Sequence, residues 1–424
     1  MNILFVHQNF PGQFKHLAPA LVSKGHRVLA LHLNPCPPIA GVELVRYPLV
    51  SKPSEQTHRW VKDFEVKTVR AESAWRAALQ LKAKGFEPDV IVAHPGWGES
   101  LFLHQVWPQA ALGLYCEFYY KTEDADVGFD PEFNDVDEGT ACRLQLKNTV
   151  FDLQFPHAKA GLSPTHFQAS LMPASMASKM TVIHDGIDTQ HIAPNPDVRL
   201  GLRTAQGQVS LSRDDEVITF VNRNLEPYRG YHRFMRALPL IQKARPKARV
   251  ILIGGDEVSY GAQPPKDKDG RPQSWKQIFL SEVKDQLDLS RVHFLGRVPY
   301  DQFLSVIQLS SVHVYLTYPF VLSWSLLEAM SAGCAIVASD TAPVREAITH
   351  DKTGLLVDFF DTQALADRVS ELCGDRRRAK ALGKAARQWA VAHYDLRTHC
   401  LDQQIAWVEN LNKKPVKKPR AKKP

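Results

Sequence analysis

Residues 312–340, VHVYLTYPFVLSWSLLEAMSAGCAIVASD, decide how this chain is read. VHVYLTY is a short run of apolar and β-branched residues, as expected of a strand buried on both faces. The chain then turns through PFVLS, enters a helix near Trp324, and leaves it for a second apolar run, AIVASD (335–340). Strand, turn, helix and strand in that order make a parallel crossover unit.

The same rhythm extends in both directions. Upstream, EVITFVNR (216–223), ARVILIGGD (248–256) and RVHFLGRV (291–298) are strand candidates separated by helical stretches. An earlier series is formed by NILFVH (2–7), HRVLALHL (26–33), DVIVAHP (89–95), LGLYCEFY (112–119), AKAGLSP (158–164) and MTVIHDGID (180–188). Two doubly wound α/β domains follow, with a ligand cleft expected where the strands end. The first is expected over 1–195 and the second over 210–385. Residues 193–214 read as the connection, and 386–412 as a C-terminal helix packing back towards the first domain. No G-x-G-x-x-G occurs in either half, so a dinucleotide oxidoreductase is unsupported.

Composition narrows the classes further. The 424 residues carry 52 Lys plus Arg against 45 Asp plus Glu, a net charge of +7. That surplus sits entirely in the last stretch, KKPVKKPRAKKP (413–424), so the body is neutral and specific nucleic-acid binding is disfavoured. A Pro-interrupted basic tail reads as disordered. It can lie on anionic lipid or merely aid solubility. Six cysteines include no C-x-x-C pair, which argues against a zinc site or a disulfide framework. No signal peptide or membrane span is read, and a cytoplasmic location follows, peripheral at the inner membrane face if the tail meets lipid.

Chemistry-bearing residues cluster at two strand ends. A helix start after Tyr318 offers free N–H groups and the positive end of a dipole, which suits phosphate. Glu328, one turn in, can accept bonds from a ribose diol, or can equally be an acid favoured in a first turn. In VNRNLEPYRGYHRFMRAL (221–238), Arg223 closes a strand and Arg229 follows in the loop. Two guanidinium groups so spaced can clamp a diphosphate, though an isolated pair is more often solvated. The loop EDADVGFDPEFNDVDE (123–138) carries eight acids. Its Asp124/Asp126 and Asp135/Asp137 pairs imitate a D-x-D metal motif but read here as a solvated loop.

The second half resembles family 4 of the retaining glycosyltransferases. The residues that carry the likeness are RNLEPYRG (223–230), LIGGD (252–256), FLGRVPYDQF (294–303), LLEAMSAGCAIVASDTAPVREAI (326–348) and TGLLV (353–357). The first half agrees more loosely, through QNFPGQF and VIHDGID (182–188). The resemblance implies a GT-B fold: two tandem Rossmann-like domains with an interdomain cleft. It also implies a metal-independent hexosyltransferase of bacterial polysaccharide assembly that uses no cofactor. A nucleotide diphosphate sugar would be the donor, and a glycan, lipid-linked or protein molecule the acceptor.

Carried over residue by residue, Arg223 and Arg229 face the donor diphosphate, with Arg229 where a lysine is commoner. Glu328 holds the ribose, Val298 meets the base, and Gly12 lets backbone approach the phosphates. Ser323 stands in the loop where the family has a glycine. Phe320 replaces the glutamate that touches the transferred sugar. The family's first-domain histidine falls at Glu117, and His94 is the alternative acceptor-side group. Two alternatives stand beside transfer: a non-catalytic scaffold of the same fold, motivated by Phe320, and other sugar-nucleotide chemistry, which fits the fold but the motifs less well.

Overall fold

The computed structural model describes residues 1–133, 136–204 and 207–413. The chain forms two compact units. The first contains Met1–Tyr120, Glu138–Asp185 and the chain from Cys400 onward; the second contains Lys121–Asp137 and Gly186–His399.

The first unit is built on seven parallel strands: β1 (Asn2–Val6), β2 (Arg27–His32), β3 (Val42–Arg46), β4 (Val90–Ala93), β5 (Ala111–Tyr115), β6 (Ala158–Ser163) and β7 (Met180–Val182). Their order in the sheet is β3-β2-β1-β4-β5-β6-β7. Alternation along β1 supplies both faces. Leu4 and Val6 pack with Ala71, Ala74 and Ala78 of the helix Lys62–Ala83, while Ile3 and Phe5 pack with the helices Leu17–Ser23 and Leu401–Leu411. Small residues on Lys62–Ala83 let that long, weakly amphipathic helix lie close to the sheet. β3 was absent from the sequence reading, since VELVR carries two charges in five residues and sits at a sheet edge.

The second unit holds an antiparallel hairpin, β8 (Arg199–Thr204) and β9 (Gly207–Ser212), and a six-stranded parallel sheet. The sheet comprises β10 (Val217–Asn224), β11 (Arg249–Gly255), β12 (Val292–Gly296), β13 (Val312–Tyr315), β14 (Ala335–Ser339) and β15 (Leu355–Val357). Its order, β12-β11-β10-β13-β14-β15, is the doubly wound arrangement with a switch point between β10 and β13. The hairpin corrects the reading of 193–214 as a plain connection. Leu200, Leu202 and Leu211 are buried in the second core, and their period of two was masked by the glycines and charges between them. Among the described residues no helix is long and apolar enough to cross a membrane.

Candidate active site

In each sheet the chain reverses winding direction beside the first strand, and in both units polar groups gather where those central strands end. In the second unit, β10 runs into the turn Pro227–Arg229, and Gly230 adopts φ +67°. A side chain there would be strained twice over, by that backbone and by Leu316 Cβ, 2.3 Å from where its own Cβ would sit. The turn delivers Arg229 into a buried position. Its Nη1 donates to Thr317 Oγ1 (2.8 Å), Val321 O (3.0 Å) and Tyr315 OH (3.3 Å). The rings of Tyr260 and Phe320 flank the guanidinium at 5.5 and 5.7 Å. Burial works against its charge, but Tyr315, Tyr260 and Glu226 outweigh that and hold its pKa above the usual arginine range.

Arg223 behaves differently. It is exposed at the end of β10, and its side chain has no hydrogen bond or ion pair among the described residues. Of the two arginines, one is fixed by the fold and the other is available to a ligand.

Phe320 is buried, edge-on to Tyr228 (5.5 Å, 85°) and steeply inclined to Tyr260 (4.8 Å, 64°). Ser323 caps the helix Trp324–Ser331 through a bond from Ser325 N (3.3 Å), and its own N–H donates to Tyr315 OH (2.9 Å). Glu328, half-buried in that helix, accepts from Tyr300 OH at 2.7 Å. Val298 is half-buried against the second core. Glu226 was not singled out in the sequence. Fully buried, it accepts from the N–H groups of Ser259 (2.9 Å) and Tyr260 (3.0 Å), and so pins the loop after β11 beside Arg229. Burial raises its pKa.

The acidic segment Lys121–Asp137 belongs to this unit and is not a solvated loop. Asp124 is exposed, but Asp126 is buried and accepts from Tyr228 OH at 2.7 Å, so the two do not form a metal-type pair. Asp135 lies outside the described residues. Asp130 is buried between His232 Nε2 (2.9 Å), Tyr318 OH (3.1 Å) and Arg233 (3.3 Å). Burial opposes its charge, but these partners hold it in the ionised form. Glu132 forms a two-bonded pair with Arg236, both contacts 2.6 Å. Asp130, Glu132 and His232 stand within metal-ligand distance of one another, yet both carboxylates are already matched by arginines. The signal in the sequence was the basic run HRFMR (232–236), which supplies the countercharges.

In the first unit, three residues named from the sequence come together at the ends of β1, β4 and β5. Gly12, at φ +47°, opens a short turn, and a Cβ there would meet the His7 ring at 2.8 Å. His94 follows β4 and is buried; Nδ1 has no hydrogen-bond partner among the described residues, and Nε2 lies 3.5 Å from Glu117 Oε2. Glu117 follows β5, with Oε1 accepting from Gln13 Nε2 at 3.0 Å. Burial would raise its pKa, but His94, Gln13 and His7 offset that and bring it below the usual carboxylate value. His7 and Gln13 were missed, although His7 ends the quoted strand NILFVH and Gln13 lies in the quoted loop QNFPGQF. The His7 ring stands edge-on to His94 at 5.4 Å, and burial, aided by His94, lowers its pKa to about 3. This edge therefore offers a neutral imidazole, a second imidazole with an unused nitrogen, and a carboxylate, a combination suited to proton transfer.

Two doubly wound sheets, with cations and a helix start at one switch point and an imidazole–carboxylate set at the other, define the GT-B class of fold. The chain belongs to the glycosyltransferases. Residues 24–192 match the glycosyl transferase family 4 group, and residues 203–389 match glycosyl transferases group 1. A GDP-mannose-dependent alpha-(1-6)-phosphatidylinositol monomannoside mannosyltransferase of Mycolicibacterium smegmatis is 28% identical over 216 residues, 50% of this chain and 52% of that protein. The chain thus spans about half the length of that relative. A glycogen synthase of Mycobacterium tuberculosis is 23% identical over 94% of this chain and 92% of its own. Among solved structures, sucrose-phosphate synthase from Thermosynechococcus elongatus superposes with a TM-score of 0.70 at 15% identity, covering 96% of this chain and 98% of that one. HepE from Anabaena, solved with UDP and glucose, gives 0.66 at 17%, covering 97% and 99%. These two likenesses show the fold.

Proposed function

We propose that this protein is a retaining glycosyltransferase that moves a sugar from a nucleotide diphosphate donor to a glycan, lipid-linked or protein acceptor without a metal ion. The observation that carries the reading is the grouping at one sheet edge of a buried, fixed Arg229, an exposed and unpartnered Arg223, the capped helix start at Ser323, and Glu328. When the sugar departs, negative charge grows on the diphosphate oxygen. Cations and N–H groups already in place stabilise that charge more than they stabilise the ground state. Glu328 takes the ribose, Val298 and its neighbours the base. Glu117, with His94, is assigned to the acceptor side, and Gly12 to the close approach of backbone to the donor.

The relatives whose printed names cite GDP-mannose and the neighbour solved with UDP support a nucleotide-sugar donor without choosing its base. A thermal-shift panel of UDP, GDP, ADP, dTDP and CMP tests the reading. Binding at a hundred times the dissociation constant adds about 2.7 kcal/mol of apparent stability. One selective nucleotide, followed by transfer from its sugar conjugate with the anomeric configuration kept, is the expected result. A folded protein that answers to none would favour the scaffold reading instead.

Burial of Phe320 among tyrosines is the observation that favours that second reading, and Phe320→Glu separates the two. A loss of turnover means the pocket is built around the ring; a large gain means the natural protein is impaired. For the basic tail, whose residues 414–424 lie outside those described, we assign contact with anionic lipid. Deleting 413–424 should weaken binding to phosphatidylglycerol vesicles while soluble-acceptor turnover is kept.

A further inference from the structure

The second unit has a cleft of about 490 Å³ at the edge of its sheet opposite to Arg229 and Glu328. Its wall includes Glu216 and Ser311, each one residue ahead of β10 or β13, and Ala335 at the start of β14. The volume suits a small metabolite. Pro194, Leu372 and Ala379 contribute an apolar floor.

Charge is the unusual feature. Arg213, Arg376, Lys380, Lys384 and Arg387 all line this cleft, against Asp214 and Glu216. Glu216 is already claimed by Arg245, whose Nε donates to it at 3.0 Å. Arg387 is occupied with the carbonyls of Thr189, Ile192 and Ser331, so it builds the wall. Lys380 and Lys384 are exposed, and their side chains have no hydrogen bond or ion pair among the described residues.

Arg376, Lys380 and Lys384 recur at four-residue spacing on the helix Arg376–Tyr394, so they form one stripe on its surface. Like charges at that spacing repel, and the stripe weakens the helix that carries it. Another arginine of the same helix shows what a structural cation looks like here: Arg378 is paired with both Asp351 and Glu371. Among the described residues the stripe facing the cleft has no carboxylate partner, Arg376 donating only to the carbonyl of Asp214.

We infer that this cleft binds a small phosphorylated metabolite, a sugar phosphate or a nucleoside monophosphate. Lys380 and Lys384, with the uncommitted nitrogens of Arg213 and Arg376, receive the phosphate, and the apolar floor takes the body of the ligand. The cleft is separated from the Arg229 edge by the length of the strands, so it is a second site and the two ligands do not compete.

Calorimetric titration of the full chain with glucose 6-phosphate, AMP and inorganic phosphate tests this, alone and with saturating UDP or GDP. The expected result is binding of a phosphomonoester that persists in the presence of the nucleoside diphosphate. Lys380→Glu with Lys384→Glu should weaken it at least about tenfold, since charge-assisted bonds to phosphate are lost. The milder Lys380→Ala with Lys384→Ala guards against a folding defect. Nucleoside diphosphate affinity should stay within about twofold in both variants, because nothing at the Arg229 edge changes. Silence from all three phosphates at millimolar concentration overturns the inference. So does loss of the signal under nucleoside diphosphate, or equal binding by the variants. Lysine-dependent binding to phosphatidylglycerol vesicles with no response to soluble phosphates also overturns it, in favour of a lipid headgroup.

Discussion

The carboxyl edges of the two sheets share one topology and carry opposite chemistry. At the second, Arg229 is a buried cation with three oxygen acceptors and two flanking rings, so its position is determined several times over. At the first, His94 is equally buried yet has an unpartnered Nδ1 and only a 3.5 Å approach to Glu117. Groups with many internal partners serve the fold and any ligand together. A buried group with an unused donor or acceptor calls for an explanation, and beside a carboxylate at a strand end an incoming ligand supplies one. Substitutions at the two edges should therefore differ in kind.

The largest expected effect tests the buried imidazoles of both units. Burial lowers His7 to about 3, and His184 and His313 to about 4, against 6.5 in an unfolded chain. Between those values the unfolded state binds protons that the native state cannot. Stability is therefore complete above pH 6.5 and falls as pH drops towards 4, by roughly 1.4 kcal/mol per pH unit for each histidine. Urea unfolding between pH 7 and 5 measures it, and His7→Gln should remove about a third of the slope. A flat profile would mean these rings are not neutral in the native protein.

Next comes Arg229→Ala. It leaves Tyr315, Thr317 and Val321 without their donor, and should cost about 3 kcal/mol of stability together with at least a hundredfold in turnover. It should leave the acid slope unchanged, because arginine does not titrate there. Lost turnover with full stability would break the contrast between the two edges.

Glu117→Gln is the counterpart at the first sheet. Turnover should fall about a hundredfold while the unfolding free energy stays within about 0.5 kcal/mol. A stability loss as large as that of Arg229→Ala would mean both edges are structural. The smallest effect belongs to Glu328→Ala: nucleotide affinity falls roughly tenfold, as one charge-assisted interaction is removed, and the fold is spared because the carboxylate is half-exposed. Unchanged affinity in isothermal titration would remove Glu328 from the donor site.

Much of this was legible in the chain itself. Apolar runs such as NILFV and VITFV announced the central strands, since a strand covered on both faces has no polar side to show. The loops that follow β1, β10 and β13 were recognisable by their glycines, arginines and helix starts. The hairpin β8–β9 was not, because its buried leucines alternate with Gly and Arg. Nor was the fate of the acids at 126 and 130: eight carboxylates in sixteen residues imply solvation unless partners meet them, and those partners, the Tyr228 hydroxyl for Asp126 and His232 and Arg233 for Asp130, lie a hundred residues later.

Sequence by itself determined the doubly wound sheets, the family, and the switch-point segments that bear Arg223, Arg229, Glu328, His94 and Glu117. Those follow from periodicity and local turn chemistry, which act over a few residues. Only the tertiary structure decided that Arg229 is held while the Arg223 side chain has no partner among the described residues, that His7 joins His94 and Glu117, and that five cations, four on one helix and one in a loop, line the same cleft. Pairing and burial depend on what distant segments bring to the same place, and no local rule carries that information.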